Sequence, residues 1–306
     1  MKKYIFIIFL ILFVFLSCSN NVPKKAVEQK DFDKLERVIK LVKNHYIEEI
    51  PNEKYLDTTK RYETQKDIES EIERVMNNLD KHSFYINKNK KANILSKTKK
   101  ISSPISFKII EEKYLYILIP YFYKNTTKKI SSIIKKYNNL NLILDLRDNP
   151  GGYLKESIKT VDLFIDNGVI ISQVGRKRNL TKSYYATVKN TITSRPLVVL
   201  INHKTASSAE IVSGALQYHK RGFLVGTKSY GKGTVQALIY ITDDKKEAIK
   251  LTIGKYYLSS KRTINNKIQP NILVQKNNVM VNKNDLQLEE AIKYLEKMKN
   301  SSQKVE

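Results

Sequence analysis

The sequence is short of acid and almost empty of cysteine. Its 306 residues carry 30 Asp and Glu against 55 Lys and Arg, a formal charge of +25, and a single cysteine, Cys18. One cysteine excludes an intramolecular disulfide framework and a cysteine-built zinc site. Arginine is scarce as well: nine of the cations are arginine (37, 61, 74, 147, 176, 178, 195, 221 and 262) and the rest are lysines scattered along the chain. A sequence-specific nucleic-acid reader usually brings arginine forks and a concentrated basic stripe, so the excess reads as a solvated lysine coat with no nucleic-acid partner. Such a coat favours anionic surfaces, lipid headgroups included. Long apolar runs are missing too. Tyr4 to Leu16 is thirteen residues, and at about 1.5 Å each it spans roughly 20 Å, short of the ~30 Å hydrocarbon core. Following Lys2 and Lys3, it reads as the hydrophobic part of a signal peptide over residues 1–17, and the chain as exported. The histidines, His45, His82, His203 and His219, form no H-E-x-x-H and no pair at metal spacing, so no metal and no cofactor is expected.

What is present is the make-up of a folded protein, 41% hydrophobic and 28% charged. Cys18 directly follows Leu16-Ser17 and resembles the cysteine of a bacterial lipobox, with Phe15 where that pattern usually has Leu. The resemblance implies lipidation of Cys18 and a membrane-anchored, extracytoplasmic protein; ordinary cleavage near Ser17 is the alternative. Residues 18–30 then read as a tether. Leu35, Val38, Ile39, Val42, Tyr46 and Ile68, Ile72, Val75, Met76 recur at helical spacing, so residues 31–104 read as a small helical N-terminal region ending in a lysine-rich linker, 87–103. From Ile105 to about 275 short Val/Ile/Leu runs (114–119, 142–146, 169–174, 197–201, 223–225, 237–241, 248–253) alternate with helical patterns (127–137, 154–164, 209–218), the signature of an α/β core with buried strands. Residues 276–306 form a tail with one more helix, 286–298.

Gly226, Gly231 and Lys232 fill the first seven places of the phosphate loop G-x-x-x-x-G-K-[ST], but Gly233 stands where the metal-binding hydroxyl belongs. A triad of Ser207, His203 or His219, and Asp145 is open on spacing, without the G-x-S-x-G elbow that would favour it. The more informative pair of segments follows two buried strands. Asp145 to Gly152 ends in Pro150-Gly151-Gly152, a turn able to present backbone N–H groups unobstructed, as an oxyanion hole requires. Thr205-Ala206-Ser207-Ser208-Ala209-Glu210 sets serines at the start of a helix, where free N–H groups favour negative charge. The ordinary use of a serine there is as a helix N-cap, worth about 1 kcal/mol.

In combination these segments resemble the C-terminal processing peptidases, or tail-specific proteases, serine enzymes with a Ser-Lys dyad on a ClpP/crotonase-like core. Leu79-Asp80-Lys81-His82-Ser83-Phe84-Tyr85 is similar to the family's L-D-P-H-S-x-Y, with Lys81 in place of proline. Leu142 to Gly152 is similar to its L-I-L-D-L-R-N-N-P-G-G, Thr205 to Leu216 to its S-A-S-A-S-E-I-x-x-G-A-L, and Val225 to Gln236 to its V-G-x-x-T-F-G-K-G-x-V-Q. Tyr256-Tyr257 and Ile268-Gln269-Pro270 match the stretch beyond. The resemblance implies a ClpP/crotonase-like α/β catalytic core over 105–275, with Ser207 as nucleophile, Lys232 as base and Gln236 as its assistant. It also implies an oxyanion hole from the backbone of Gly151, Gly152 and Ser208. Ser208 is the rival nucleophile, because the motif's alanine and serine are exchanged at 208 and 209.

A lysine amine is a base only when neutral, so burial must lower its pKa from about 10.4 toward 7 or 8. The implied activity is an exported serine endopeptidase acting on protein or peptide substrates through an acyl-enzyme. Most of the family carry a PDZ domain of roughly 80 to 100 residues between the L-D-P-H-S segment and the core. Here only residues 86–104 lie there, too few for the fold that pairs a peptide tail to a sheet edge. Substrate capture and gating then fall to direct cleft binding or an adaptor, or there is no gating at all; as partner, an adaptor or a homodimer is open. A non-catalytic scaffold or binding lipoprotein that keeps the fold is the alternative function.

Overall fold

The computed structural model describes residues 29–51, 62–90, 104–258, 263–275 and 285–302. The signal segment, Cys18 and most of its tether, and linker residues 91–103 lie outside the described residues. The chain is α/β with two sheets. In the first, β2 (Ser106–Ile110), β3 (Tyr114–Leu118), β4 (Asn141–Asp145), β7 (Leu197–Ile201), β8 (Phe223–Gly226) and β11 (Ile272–Leu273) lie in the order β11-β8-β7-β4-β3-β2. All pairs are parallel except β2 with β3. Strands β4 and β7 are apolar almost throughout and buried along nearly their whole length. That is expected of parallel strands covered on both faces. The covering helices are α3 (Thr126–Lys136), α4 (Leu154–Asp162) and α5 (Ser208–Tyr218) on the main core, and α6 (Leu286–Ser302), whose Ala291 and Leu295 pack on Ile143, Val198 and Leu200.

The second sheet is antiparallel. It joins β1 (Phe84–Ile86), β5 (Val169–Gly175), β6 (Lys182–Tyr185), β9 (Thr234–Tyr240) and β10 (Ala248–Tyr257), with β10 at its centre. Helices α1 (Gln29–His45) and α2 (Gln65–Asn77) close one face of it. Leu35, Val38, Ile39 and Val42 from α1, with Ile68, Ile72, Val75 and Met76 from α2, bury against Tyr85, Ile249 and Leu251. A Thr64 capping box starts α2. The lone β1 strand carries the Leu79 to Tyr85 motif into this sheet, pairing Phe84 with Lys250 and Tyr85 with Ile249.

Among the described residues, no helix is long and apolar enough to cross a membrane.

Candidate active site

The carboxyl ends of β4, β7 and β8 lie side by side, and the three loops that leave them meet. In a parallel sheet this is where ligands gather. The loops are laced by main-chain and short polar bonds: Asp148 N–H to Asn202 Oδ1 (3.0 Å), Ala206 N–H to Asn149 O (2.9 Å), Thr205 Oγ1 to Leu146 O (2.8 Å) and Tyr230 N–H to Thr205 O (2.9 Å).

Ser207 occupies the N-cap place of α5, yet not in an N-cap's conformation. Its φ of 55° and ψ of −119° lie outside the extended region that a capping residue adopts. A non-glycine residue held there costs about 1 to 3 kcal/mol, and such strain gathers at functional turns. The neighbouring serine is different. Ser208 is 2% exposed and its hydroxyl donates to Gly152 O at 2.9 Å, so it is committed to the fold.

The glycine turn is pressed against this elbow. A Cβ on Gly151 would lie 2.9 Å from Ser207 Cβ, and one on Gly152 would lie 2.3 Å from Phe122 O; both have positive φ, 113° and 139°. Only glycine fits either place. Phe122 N–H donates to Gly151 O and Tyr153 N–H to Phe122 O, which leaves Gly152's own N–H outside that bridge. Gly151 N–H, expected in the oxyanion hole, is instead spent on the buried Asn149 Oδ1 at 2.8 Å. Ser208 N–H is one of the orphan donors that a helix N-terminus leaves. Among the described residues neither Gly152 N–H nor Ser208 N–H has an acceptor, so these two form the free donor pair next to Ser207.

Lys232 lies in the loop between β8 and β9. A strand follows it, where a phosphate loop would lead into a helix. What binds this loop to the elbow is Glu210, fully buried in the first turn of α5. Its Oε2 accepts both Ser207 N–H (2.7 Å) and Lys232 N–H (2.8 Å), and its Oε1 accepts Ser229 Oγ (2.5 Å) and Gly231 N–H (2.6 Å). The backbones of Ser207 and Lys232, 25 positions apart, therefore converge on one carboxylate oxygen. Burial raises the Glu210 pKa although all four donors oppose it. The sequence signal was present, a glutamate three residues after the serine, but it also describes an ordinary capping box.

Burial lowers the Lys232 pKa, the negative Glu210 opposing. Its basic neighbours are Lys250 of β10 and His82. Lys250 is lowered by burial and by Lys232, and His82 likewise. The turn that presents His82 is tied by Asp80, which accepts His82 N–H (2.7 Å), Ser83 Oγ (2.8 Å) and Thr252 Oγ1 (3.2 Å). Burial pushes the Asp80 pKa up, but these bonds outweigh it and hold the group below the usual carboxylate range. Gln236 sits on β9 with its amide donating to Thr234 Oγ1 at 2.7 Å.

The histidine triad is not assembled. His203 is exposed, His219 lies beyond the far end of α5 against Val169 O, and Asp145 is engaged by Arg147 and the Tyr116 hydroxyl. Arg147 also forks onto Asp285 through Nη1 and Nη2, both at 2.7 Å, fastening the start of α6 to the glycine turn. Among the described residues no group of His, Cys, Asp and Glu could hold a metal ion.

A strained serine at a strand-to-helix junction, with free backbone donors on one side and a lysine loop clamped to its own amide, is the arrangement at the centre of this α/β fold. Residues 113–274 match the profile of Peptidase family S41, and the chain belongs to that family. The Carboxy-terminal-processing protease of Bartonella bacilliformis is 40% identical over 149 residues, which are 48% of this chain and 34% of that protein. The chain thus aligns with about a third of the length of the curated relatives it matches. Among solved structures, a photosystem II D1 C-terminal processing protease superposes with a TM-score of 0.69 at 16% identity, over 81% of this chain and 94% of that one. A lipoprotein from Streptococcus agalactiae superposes with a TM-score of 0.65 at 19% identity, over 92% and 100%. Both share the fold.

Proposed function

We propose that the chain is an exported serine endopeptidase of the C-terminal processing type, working by a Ser207-Lys232 dyad. The observation that carries this reading is the shared Glu210 oxygen, which fixes the strained Ser207 and the Lys232 loop in one frame. Neutral Lys232 takes the Ser207 proton as Oγ attacks the substrate carbonyl carbon. The negative oxygen that forms is met by Gly152 and Ser208 N–H. Lys232 then returns the proton to the leaving amine, the C–N bond breaks, and an acyl-serine remains. Water attacks the acyl carbon, giving one proton to Lys232; the acyl–Oγ bond then breaks, Lys232 returns that proton to Ser207 Oγ, and the carboxylic acid product loses its remaining proton to solvent. Gln236, whose amide is engaged by Thr234, assists by ordering the start of β9 and the loop that carries Lys232. The committed hydroxyl of Ser208 supports Ser207 as the nucleophile.

In this reading residues 1–17 are the signal peptide, Cys18 carries the lipid anchor, and 18–30 tether the enzyme on the extracytoplasmic side of a membrane. The helical region and linker (31–104), core (105–275) and tail (276–306) then act as one enzyme without a PDZ domain, alone, as a homodimer or with an adaptor.

The test is incubation of wild type, Ser207→Ala, Lys232→Ala and Lys232→Arg with unfolded β-casein and with peptides of varied C-termini. Wild type cleaves and all three variants are dead, Lys232→Arg included, because a guanidinium stays charged. Cleavage by Ser207→Ala at the wild-type rate overturns the dyad; no Ser207-dependent cleavage of any substrate turns the reading to a non-catalytic binding lipoprotein.

A further inference from the structure

The lysines are spread along the chain, but the acids are not. Between Lys81 and Leu144, 64 residues carry fourteen lysines, no arginine and two acids, Glu111 and Glu112. Almost half of the net charge of +25 thus sits on about a fifth of the chain. The structure gathers much of it on one face. Lys124, Lys128, Lys129, Lys135 and Lys136, at the start of α3 and along it, are all exposed, and among the described residues none of the five makes an ion pair. Helix α4 lies beside α3 and adds exposed Lys155 and Lys159. Its acids, Glu156 and Asp162, are each 8% exposed and accept Thr127 N–H and Thr187 N–H.

Apolar side chains stand beside these lysines. In the antiparallel pair of β2 and β3, Phe107 lies opposite Ile117 and Ile109 opposite Leu115, so both share the sheet face that α3 covers, where Ile117 and Leu115 are fully buried. Phe107 and Ile109 are nevertheless 43% and 44% exposed, because they lie past the flank of α3. Thr127 of α3 turns toward α4, so the opposite flank, Lys129, Ile133 and Lys136 at helical spacing, is the one beside β2. The Phe107 ring meets Tyr137, the residue that closes α3, at 5.6 Å, and Lys136 Nζ lies 5.2 Å over the same tyrosine ring. Exposed apolar groups rimmed by unpaired lysines form an interaction face. Charge decides its occupant. A second copy would set like charge against like charge, and a nucleic acid is read through arginine forks, which this stretch lacks. Lysines are point charges suited to a fluid anionic lattice, and phenylalanine and isoleucine beside them enter the headgroup boundary.

We propose that the outer face of α3, with Phe107 and Ile109 of β2, docks the protein on the surface of an anionic lipid bilayer. This goes beyond the peptidase reading and stands without it. The lysines meet the headgroup phosphates, and the two apolar side chains sink between the headgroups. An anchor alone leaves a tethered protein free to turn; a lysine face gives it one orientation. The loop that enters α3 runs up to the candidate site, since Phe122 N–H donates to Gly151 O and Tyr153 N–H to Phe122 O. Docking therefore holds the glycine turn near the bilayer, within reach of polypeptide that emerges from it.

The chain has no tryptophan, so one substitution gives one reporter. Full-length protein carrying Phe107→Trp, and separately Leu273→Trp at the opposite edge of the same sheet, where Leu273 is 56% exposed, is bound to vesicles of phosphatidylcholine alone or mixed with phosphatidylglycerol. On the anionic vesicles Phe107→Trp emission shifts to the blue and is quenched by brominated lipid, while Leu273→Trp emits as in water. On phosphatidylcholine alone neither shifts, and added salt reverses the shift on the anionic vesicles. Exchange of Lys128, Lys129, Lys135 and Lys136 together for glutamine lowers the ratio of docked to undocked protein by about a hundredfold or more, each lysine near an anionic surface counting about fivefold, and the shift disappears. Ile109→Trp gives the same readings and serves in place of Phe107→Trp if that variant does not fold. Equal quenching of the Phe107 and Leu273 reporters overturns the proposal, because no one face is then presented. So does Phe107→Trp emission that keeps its aqueous position on anionic vesicles, or a shift unchanged by the four glutamines. A blue shift that heparin produces without lipid overturns it as well and assigns the face to a soluble polyanion. No readout uses peptidase activity, so an inert Ser207 would sink the peptidase reading and leave the docking result as measured.

Discussion

At the scale of single residues, two adjacent serines have opposite fates for reasons of backbone geometry. Ser207 is strained and partly exposed, and Ser208 is buried with its hydroxyl on Gly152 O. Ser208→Ala is expected to keep most peptidase activity. It should cost about 1 to 3 kcal/mol in urea denaturation, because the Gly152 carbonyl loses its partner. Inactivity equal to that of Ser207→Ala would reassign the nucleophile. The lysine makes a prediction of its own. Burial lowers the pKa of Lys232 and of Lys250, and only the neutral amine accepts a proton. kcat/KM should therefore climb as pH rises through a range below the ordinary lysine value of about 10.4, and level off above it. A rate already at its plateau at pH 5, measured on a peptide without titratable groups, would exclude a lysine base.

At the scale of elements, the strands and helices of the core were legible in the sequence because their periodicity is strong: β7 falls on the apolar run 197–201, and α3, α4 and α5 begin within a residue of their patterns. What escaped has weak patterning. Four of the five residues of β2 are exposed, β6 is Lys-Ser-Tyr-Tyr, and β1 and β11 have three and two residues, so none carries an alternation to read. The division into two sheets escaped as well, since β10 joins β1 and β5 over long separations. In the candidate site, Ser207 and Lys232 were recognisable only as parts of a combined resemblance. The Glu210 clamp was not, because a glutamate at that spacing serves any helix start. Its four bonds make a test. Glu210→Gln offers one oxygen where two are needed and turns an N–H₂ group toward backbone donors. Turnover is expected to fall between tenfold and a hundredfold with little change in KM, as the Ser207 and Lys232 backbones separate. Steady-state kinetics with a folded variant checks it, and an unchanged kcat would reduce the clamp to a stability device.

At the scale of the whole molecule, the second sheet is only as firm as the face that the N-terminal helices close. Lys34 of α1 reaches Glu247, just before β10, at 3.0 Å, with both side chains 5% exposed, and the Tyr85 hydroxyl of β1 donates to the same oxygen at 2.6 Å. One ion pair thus ties α1, β1 and the turn between β9 and β10. A buried pair is expensive to form and more expensive to break, because removing one partner strands the other charge in a low-dielectric site. Lys34→Met should therefore cost about 3 to 5 kcal/mol, whereas Lys34→Met with Glu247→Gln, which leaves no charge and keeps an acceptor for Tyr85, should recover most of it. Thermal melts of the two variants, followed by circular dichroism and by Ser207-dependent cleavage in the same samples, test this. If helices and second sheet form one cooperative unit with the site, activity and ellipticity fall together and the double variant restores both. A single variant as stable as wild type would show that the helices merely rest on the sheet, and loss of cleavage well below the melting temperature would show that β9 loosens on its own.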